Sequence, residues 1–372
     1  MKKTSVLSTG VAFAALLATT SLVRADEVNV TSTGGAYQRS QEMGYGEAYE
    51  KLGHTINWNV YSGGLGEIRT QVDSGNVIWD IVDVNSAEAN TGCAEGIFEK
   101  IDLAEVTEPA PDGTTLDDYQ VQRTNDCSVG TVVYSWGFAF NNTVFTGDQP
   151  AKVADYFDTA RFPGKRGIWS SPTQAIELAL MADGVAPGDV YSYLEESGDV
   201  GVDRALAKLK SLHDDPNGGL VFWTGGAEPP ELLAKGEVVM STGWSGRFFN
   251  AVVTENAPIT QVWDGQIMDF QNFAVIKGTP NLEAAKAFLK FATATDNIAE
   301  TARYIPYAPW RKSAVDKILA NEPWSEDGKT SVGPFLSTAP DNMANYLEMG
   351  VEYWQNHQDE VTERWTAWKA GL

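Results

Sequence analysis

Histidine, cysteine and clustered base are what this chain of 372 residues is short of. Three histidines, His54, His213 and His357, stand far apart with no ligand spacing, so no metal site built on His and Cys is expected. Lys and Arg number 27 against 50 Asp and Glu, a net charge of −23. Without a basic cluster there is no counterion release from phosphates, and nucleic acid is excluded as a partner. No run of residues reaches the ~20 apolar positions of a membrane-spanning helix. Repeats, low-complexity stretches and Pro- or Ser-rich linkers are missing too; the 16 Pro and 35 Gly are dispersed, which argues for globular structure rather than disorder. The length suits about two domains of roughly 100–200 residues each.

Residues 1–25 read as a cleavable secretory signal. Lys2 and Lys3 precede a mostly apolar stretch from Val6 to Ala18, and Val23-Arg24-Ala25 approximates a small-residue cleavage pattern ahead of Asp26. Ser8, Thr9 and Gly10 interrupt the apolar run, so a permanent anchor is the weaker reading. Export implies the periplasm and an oxidising compartment. There, Cys93 and Cys127 read most naturally as one disulfide, with two separate buried thiols as the alternative.

From Asp26 onward, short β-branched runs alternate with helical patterns, which points to α/β layers. Glu27 to Thr31 is a strand ending at Gly34-Gly35; a helix runs from about Tyr37 to Leu52, and a second strand from Thr55 to Tyr61. A helix with Ile68 and Val72 four apart stops at Gly75, and Trp79 to Val84 makes the third strand. Such a doubly wound start places a ligand site at the carboxyl ends of its strands. A second β/α run follows Asn142. Its pieces are the strand Gly167 to Trp169, a helix opened by Ser171-Pro172, a helix marked by Leu206, Leu209 and Leu212, a short helix opened by Pro229-Pro230, and the strand Val238 to Thr242. Met268 to Ile276 returns to strand character, Asn281 caps a helix through Leu282, Ala285, Leu289 and Ala292, and the chain from about Ser313 reads as helical. Two α/β units with no tether imply a chain that crosses between lobes on ordered strands and leaves a cleft there.

Catalytic motifs fail on inspection. Gly243-Trp244-Ser245-Gly246 imitates a nucleophile elbow, but Arg247 stands where the closing Gly belongs. Gly328-Lys329-Thr330 imitates the end of a phosphate loop, but Pro323 holds the place of its leading Gly. Asp215, Asn217 and Gly219 lack the spacing and closing Glu of a calcium loop. The expectation is a protein that is no enzyme and carries no cofactor, a secreted hydrolase being the rival from another class.

Several segments, in order, resemble the periplasmic solute-binding proteins of ABC transporters, and among these the spermidine/putrescine-binding branch. They are Gly34-Gly35-Ala36-Tyr37, Trp79-Asp80-Ile81-Val82, Trp136-Gly137 ahead of Asn141-Asn142, Gly236-Glu237-Val238 followed by Trp244, and Phe273-Ala274-Val275-Ile276 before the Asn281 helix. The resemblance implies a two-lobed type II periplasmic binding protein fold with a hinge of crossover strands and an interlobe cleft. It also implies hinge closure over a small-molecule ligand and delivery to a membrane permease. The lobes are expected as 26–137 with 269–312, and 138–268, with 313–372 packing on both and the chain monomeric.

The polyamine site that the resemblance implies uses aromatic walls and carboxylates. Tyr37 and Trp244 match its aromatics, but Ser171 and Gln174 stand where polyamine binders place Asp and Glu, Gln271 where they place Asp, and Asp269 where they place Trp. A desolvated ammonium without its carboxylate costs several kcal/mol, more than aromatic contacts of about 0.5–2 kcal/mol return. Arg247, just after Trp244, adds a cation with bidentate geometry for a carboxylate. The expected ligand is therefore an amino-acid-like zwitterion held by Arg247 and Asp269, with Tyr37, Asn85, Trp136, Ser171, Trp223 and Trp244 completing the site. A polyamine, needing acids such as Glu67, Glu88 or Glu228, is the alternative; ferric iron, which some relatives bind through Tyr and His, is third.

Overall fold

The computed structural model describes residues 26–120 and 125–372; the segment read as a secretory signal lies outside them. Ten strands make one sheet: β1 (Glu27–Ser32), β2 (Thr55–Val60), β3 (Ile81–Asn85), β4 (Ser128–Asn141), β5 (Arg166–Trp169), β6 (Leu220–Trp223), β7 (Met240–Trp244), β8 (Ile259–Val275), β9 (Ala308–Pro309) and β10 (Tyr346–Glu348). The main path runs β2-β1-β3-β8-β4-β7-β5-β6, with β10 on β8 and β9 on β4.

Each end of this path is a parallel β/α unit. In the first half β1 pairs with β2 and β3 in parallel, and the intervening helices cover both faces, which is why these strands are nearly continuous apolar runs. Val28, Val30 and Ile81 pack with Phe273 and Phe288 on one face; Ile68, Val82, Val84 and Phe98 pack on the other. The helix Gly66–Ser74 ends on Gly75 at φ 68°, a left-handed closure that a residue with a Cβ resists. In the second half β5, β6 and β7 are parallel, with Phe138, Ile168, Leu178 and Leu209 in one core and Leu233, Val238 and Phe248 in another.

β4 and β8 belong to both halves. They run antiparallel to each other, and their register shifts between Gly130 and Val132 and again between Trp136 and Phe138. The C-terminal part of β8 pairs with β3, from Asn85↔Gln271 to Ile81↔Val275. The C-terminal part of β4, Trp136 to Phe140, pairs instead with β7. Two long strands, bent by bulges, thus carry the chain between the halves.

The structure departs from the sequence reading in three places. The helix expected at Ser171-Pro172 begins at Ala175, because Gln174 takes a left-handed φ of 72° just before it. The region after Ser313 is not one helical tail: Lys312–Ala320 and Val351–Ala370 are helices, but Pro323, Pro334 and Pro340 deny the stretch between them the backbone donors a helix needs. Asn281 precedes the helix Leu282–Ala292 without capping it by its side chain, whose Nδ2 donates to Asp80 Oδ2 at 3.2 Å. The C-terminal helix ties the halves together. Trp354 Nε1 donates to the buried Glu177 at 2.6 Å in the second half, and Gln355 Nε2 donates to Thr91 Oγ1 at 2.7 Å in the first.

Cys93 and Cys127 form a disulfide, across a sequence separation of 34, between the helix Ser86–Glu95 and the segment entering β4. Closing a loop of that size restricts the unfolded chain by about 4 kcal/mol on the chain-entropy account. Replacing both cysteines by Ala is expected to lower the urea midpoint accordingly while leaving ligand affinity within twofold; an unchanged midpoint would contradict this.

Candidate functional site

A cleft of about 630 Å³ lies between the halves. The first half lines it with Tyr37 from the helix Gly35–Gln41, Tyr134 from β4, Gln271 from β8, and Tyr304 and Tyr307 from the loop after the helix Thr295–Thr301. The second half contributes Gly226, Trp244 at the tip of β7, and Gly246, Arg247 and Phe249 from the helix Ser245–Val253. Among the described residues lining this cleft, Arg247 alone carries a charge.

Tyr307 stands centrally among the tyrosines, its ring centroid 5.9 Å from Tyr37 and 6.0 Å from Tyr134. The three rings form a box whose hydroxyls are partly committed to buried acids behind it. Tyr37 Oη donates to Asp83 Oδ2 at 2.8 Å, and Tyr134 Oη donates to Asp269 Oδ2 at 2.7 Å. Burial raises the pKa of both acids, that of Asp83 to about 7, with the tyrosine hydrogen bonds opposing the rise. Burial, reinforced by the acid each one faces, holds the Tyr37 and Tyr134 hydroxyls well above the usual phenol range. The box presents phenol rings to the cleft and no acid, the two carboxyls standing behind it.

Across the cleft, Arg247 lies in the first turn of its helix, is exposed, and makes no ion pair among the described residues. Ser245 beside it is buried with its Oγ unpartnered. A helix N-terminus favours negative charge, so the helix and the guanidinium act in the same sense. Gly246 lets this helix approach the box: a Cβ there would stand 2.7 Å from a Tyr307 ring carbon. Gly246→Ala is expected to push Tyr307 aside and weaken ligand binding roughly tenfold, in line with the ~1–3 kcal/mol that overpacking costs. Titration calorimetry checks it, and unchanged affinity would contradict it.

The eight residues expected from sequence fall into three groups. Tyr37, Trp244 and Arg247 line the cleft together. Asp269 accepts from the Tyr134 hydroxyl and does not line the cleft, so it does not stand opposite Arg247 there as a matching clamp. The remaining four are placed elsewhere. Trp136 and Trp223 are fully buried: Trp136 sits at the register shift of β4 against β8, where pairing with β7 begins, and Trp223 packs under Trp244, ring centroids 5.5 Å apart. Asn85 spends its side chain capping the helix Ser86–Glu95, its Oδ1 accepting from Glu88 N at 2.9 Å. Ser171 borders a separate groove with Trp365 and Lys369.

Sequence reasoning missed Tyr134, Tyr304 and Tyr307. Tyr134 is one of a long alternating run in β4, and the other two lie in a loop with no motif. Gln271 was marked only as a replaced acid, although its place opposite Asn85 near the end of β3 puts it at the strand tips.

Comparison with known proteins gives a consistent picture. The family described as bacterial extracellular solute-binding protein matches residues 46–331. A gamma-aminobutyric acid-binding protein of Pseudomonas aeruginosa is 35% identical over 362 residues, covering 97% of this chain and 95% of that one. An ABC transporter substrate-binding protein from Bradyrhizobium japonicum superposes with a TM-score of 0.76 at 30% identity over 92% of this chain and 99% of its own. A solved GABA receptor gives 0.73 at 27% identity over 92% and 97%. Among the described residues no helix is long and apolar enough to cross a membrane.

Proposed function

Because the chain belongs to the bacterial extracellular solute-binding protein family, whose members here include ABC transporter components, we propose that its cleft takes an ω-amino acid of the γ-aminobutyrate type. The ligand's carboxylate lies on Arg247 and the helix N-terminus beside it; its ammonium lies in the box of Tyr37, Tyr134 and Tyr307, where cation–π attraction is worth about 2 kcal/mol once desolvated. Closure of the lobe formed by 138–268 onto that formed by 26–137 and 269–312 brings the two clamps together around the ligand. The protein works in the periplasm as a monomer, delivers its ligand to a membrane permease and transforms nothing.

One observation carries this reading. In a chain of net charge −23, the single charge lining the cleft among the described residues is positive. That argues against a polyamine, which brings only ammonium groups. The acids a polyamine requires do not line the cleft: Glu88 is held by the Asn85 cap, and Glu228 accepts from Gly225 N. The related γ-aminobutyrate-binding protein and receptor favour the same ligand class.

A thermal-shift panel of γ-aminobutyrate, δ-aminovalerate, butyrate, putrescine and spermidine tests it, since a ligand at 100 times its Kd stabilises by about 2.7 kcal/mol. The ω-amino acids are expected to raise Tm most. A rise with the polyamines alone would overturn the assignment.

A further inference from the structure

Behind the tyrosine box the first half buries a carboxyl group with no cation among the described residues acting on it. Asp83, at 0% exposure on β3, receives Tyr37 Oη at 2.8 Å and Gln41 Nε2 at 2.5 Å, both on Oδ2. Its Oδ1 has no partner. Gln41 is itself fixed from its other end by Ser32 Oγ at 2.6 Å, so this geometry is set by the fold and does not depend on a ligand. The groups facing Asp83 are Tyr37 and Tyr45 from the helical segment after β1, Tyr61 from beyond β2, and Glu88 from the helix after β3. All are neutral or acidic, and no Lys or Arg is among those acting on it. A buried carboxylate with no counter-cation is costly. Tyr37, which lines the cleft, is joined to Asp83 by the hydrogen bond from its hydroxyl.

Resting on the assignment of an ω-amino acid to the cleft, we propose that Asp83 is a positioning residue that makes the cleft select an ammonium, acting through the Tyr37 hydroxyl without touching the ligand. When Asp83 is ionised, the one phenolic proton of Tyr37 is committed to Oδ2. Tyr37 Oη, which also lies 3.2 Å from Thr131 Oγ1, stays turned to the interior, the ring meets the ligand, and the ammonium becomes the counter-ion the site lacks. When Asp83 is protonated, the Tyr37 proton is released from Oδ2 and the box loses the backing behind Tyr37, that of Asp269 behind Tyr134 remaining. Its pKa, near 7 in the empty protein, places this change close to neutrality. Ammonium binding favours the ionised form, so Asp83 releases a proton as the ligand enters.

Calorimetry with γ-aminobutyrate at pH 6.5, in buffers of different ionisation enthalpy, reads this directly. The wild type is expected to release protons on binding and to bind more tightly as pH rises from 5.5 to 8. D83N is expected to release fewer protons than the wild type, what remains coming from Asp269 behind Tyr134, to lose most of the pH dependence and to bind at least tenfold more weakly, while its affinity for butyrate, which lacks the ammonium, stays within twofold. Y37F cuts the link without altering the acid; it also weakens γ-aminobutyrate, and adding D83N to it costs little more. If D83N folds poorly, Y37F and the wild-type proton release decide the matter. Equal losses for γ-aminobutyrate and butyrate in D83N, or wild-type binding with no proton release, would overturn this inference alone. No wild-type binding of γ-aminobutyrate would overturn the ligand assignment and this inference with it.

Discussion

Replacing Arg247 by Ala is expected to weaken γ-aminobutyrate binding roughly 100-fold, about 3 kcal/mol, with little change in Tm of the empty protein. The two outcomes follow from the same structural fact. Arg247 is exposed and makes no ion pair among the described residues, so folding loses nothing when it goes. A carboxylate brought into the cleft, by contrast, meets no other cation there, and an anion desolvated without a partner is heavily penalised. Arg247→Lys is expected to recover part of the affinity, because an ammonium supplies the charge but not the planar fork that holds both carboxylate oxygens. Titration calorimetry measures both variants. Unchanged affinity in Arg247→Ala would remove the arginine from the site and leave the helix N-terminus as the sole anion clamp.

The second large effect is on stability, and its sign is opposite to that of the usual paired carboxylate. Asp83 titrates near 7 in the folded protein, against an ordinary value of 3.8. Between pH 4 and 7 the folded state therefore keeps a proton that the unfolded state has lost. Stability from this group is fully present below pH 4 and declines as pH rises to about 7, by roughly 3–4 kcal/mol over the interval. Asp269 and Glu177, whose pKa values burial also raises, push in the same direction. The exposed acids Glu95, Asp183, Asp215 and Glu228 are held below their ordinary values by hydrogen bonds and destabilise the fold only when pH falls further. The urea midpoint of the empty protein is thus expected to be higher at pH 5 than at pH 8, and D83N is expected to flatten most of the difference. A midpoint that rises from pH 5 to 8 would contradict the burial of an unneutralised carboxylate. Together with the binding tests, this sets out an exchange of stability for affinity: the charge that destabilises the empty cleft is the one its ligand answers.

Much of the fold was legible because it rests on local patterns. The alternation in Glu27 to Thr31, the Ile68/Val72 spacing closed by Gly75, and the apolar runs of a two-faced parallel sheet are all short-range signals. The irregular stretch 321–345 was not, although its prolines were visible, because aromatic spacing beyond it imitated a helix. The site was legible where a residue type is unusual for its surroundings: an Arg after a strand-tip Trp in an acidic chain picks out a cation that lines the cleft. It was illegible where function depends on which residue stands behind which. Nothing in the order of residues says that Tyr134 covers Asp269 or that Tyr37 covers Asp83, since those pairs are 135 and 46 residues apart. The expectation of Asp269 as a direct clamp rests on its place in the sequence, whereas in the fold it accepts from Tyr134 and does not line the cleft. Trp136 and Trp223 looked like walls for a related reason. Strand-end aromatics are ambiguous between a cleft and the core beneath it, and only Trp244 of the three lines the cleft.

The account comes down to one orientation, and a crystal structure of the complex with γ-aminobutyrate measures it. The carboxylate is expected within hydrogen-bond reach of the Arg247 guanidinium, with the ammonium nitrogen within about 6 Å of the Tyr37, Tyr134 and Tyr307 ring centroids. A ligand bound the other way round, or outside the cleft between the halves, would contradict it.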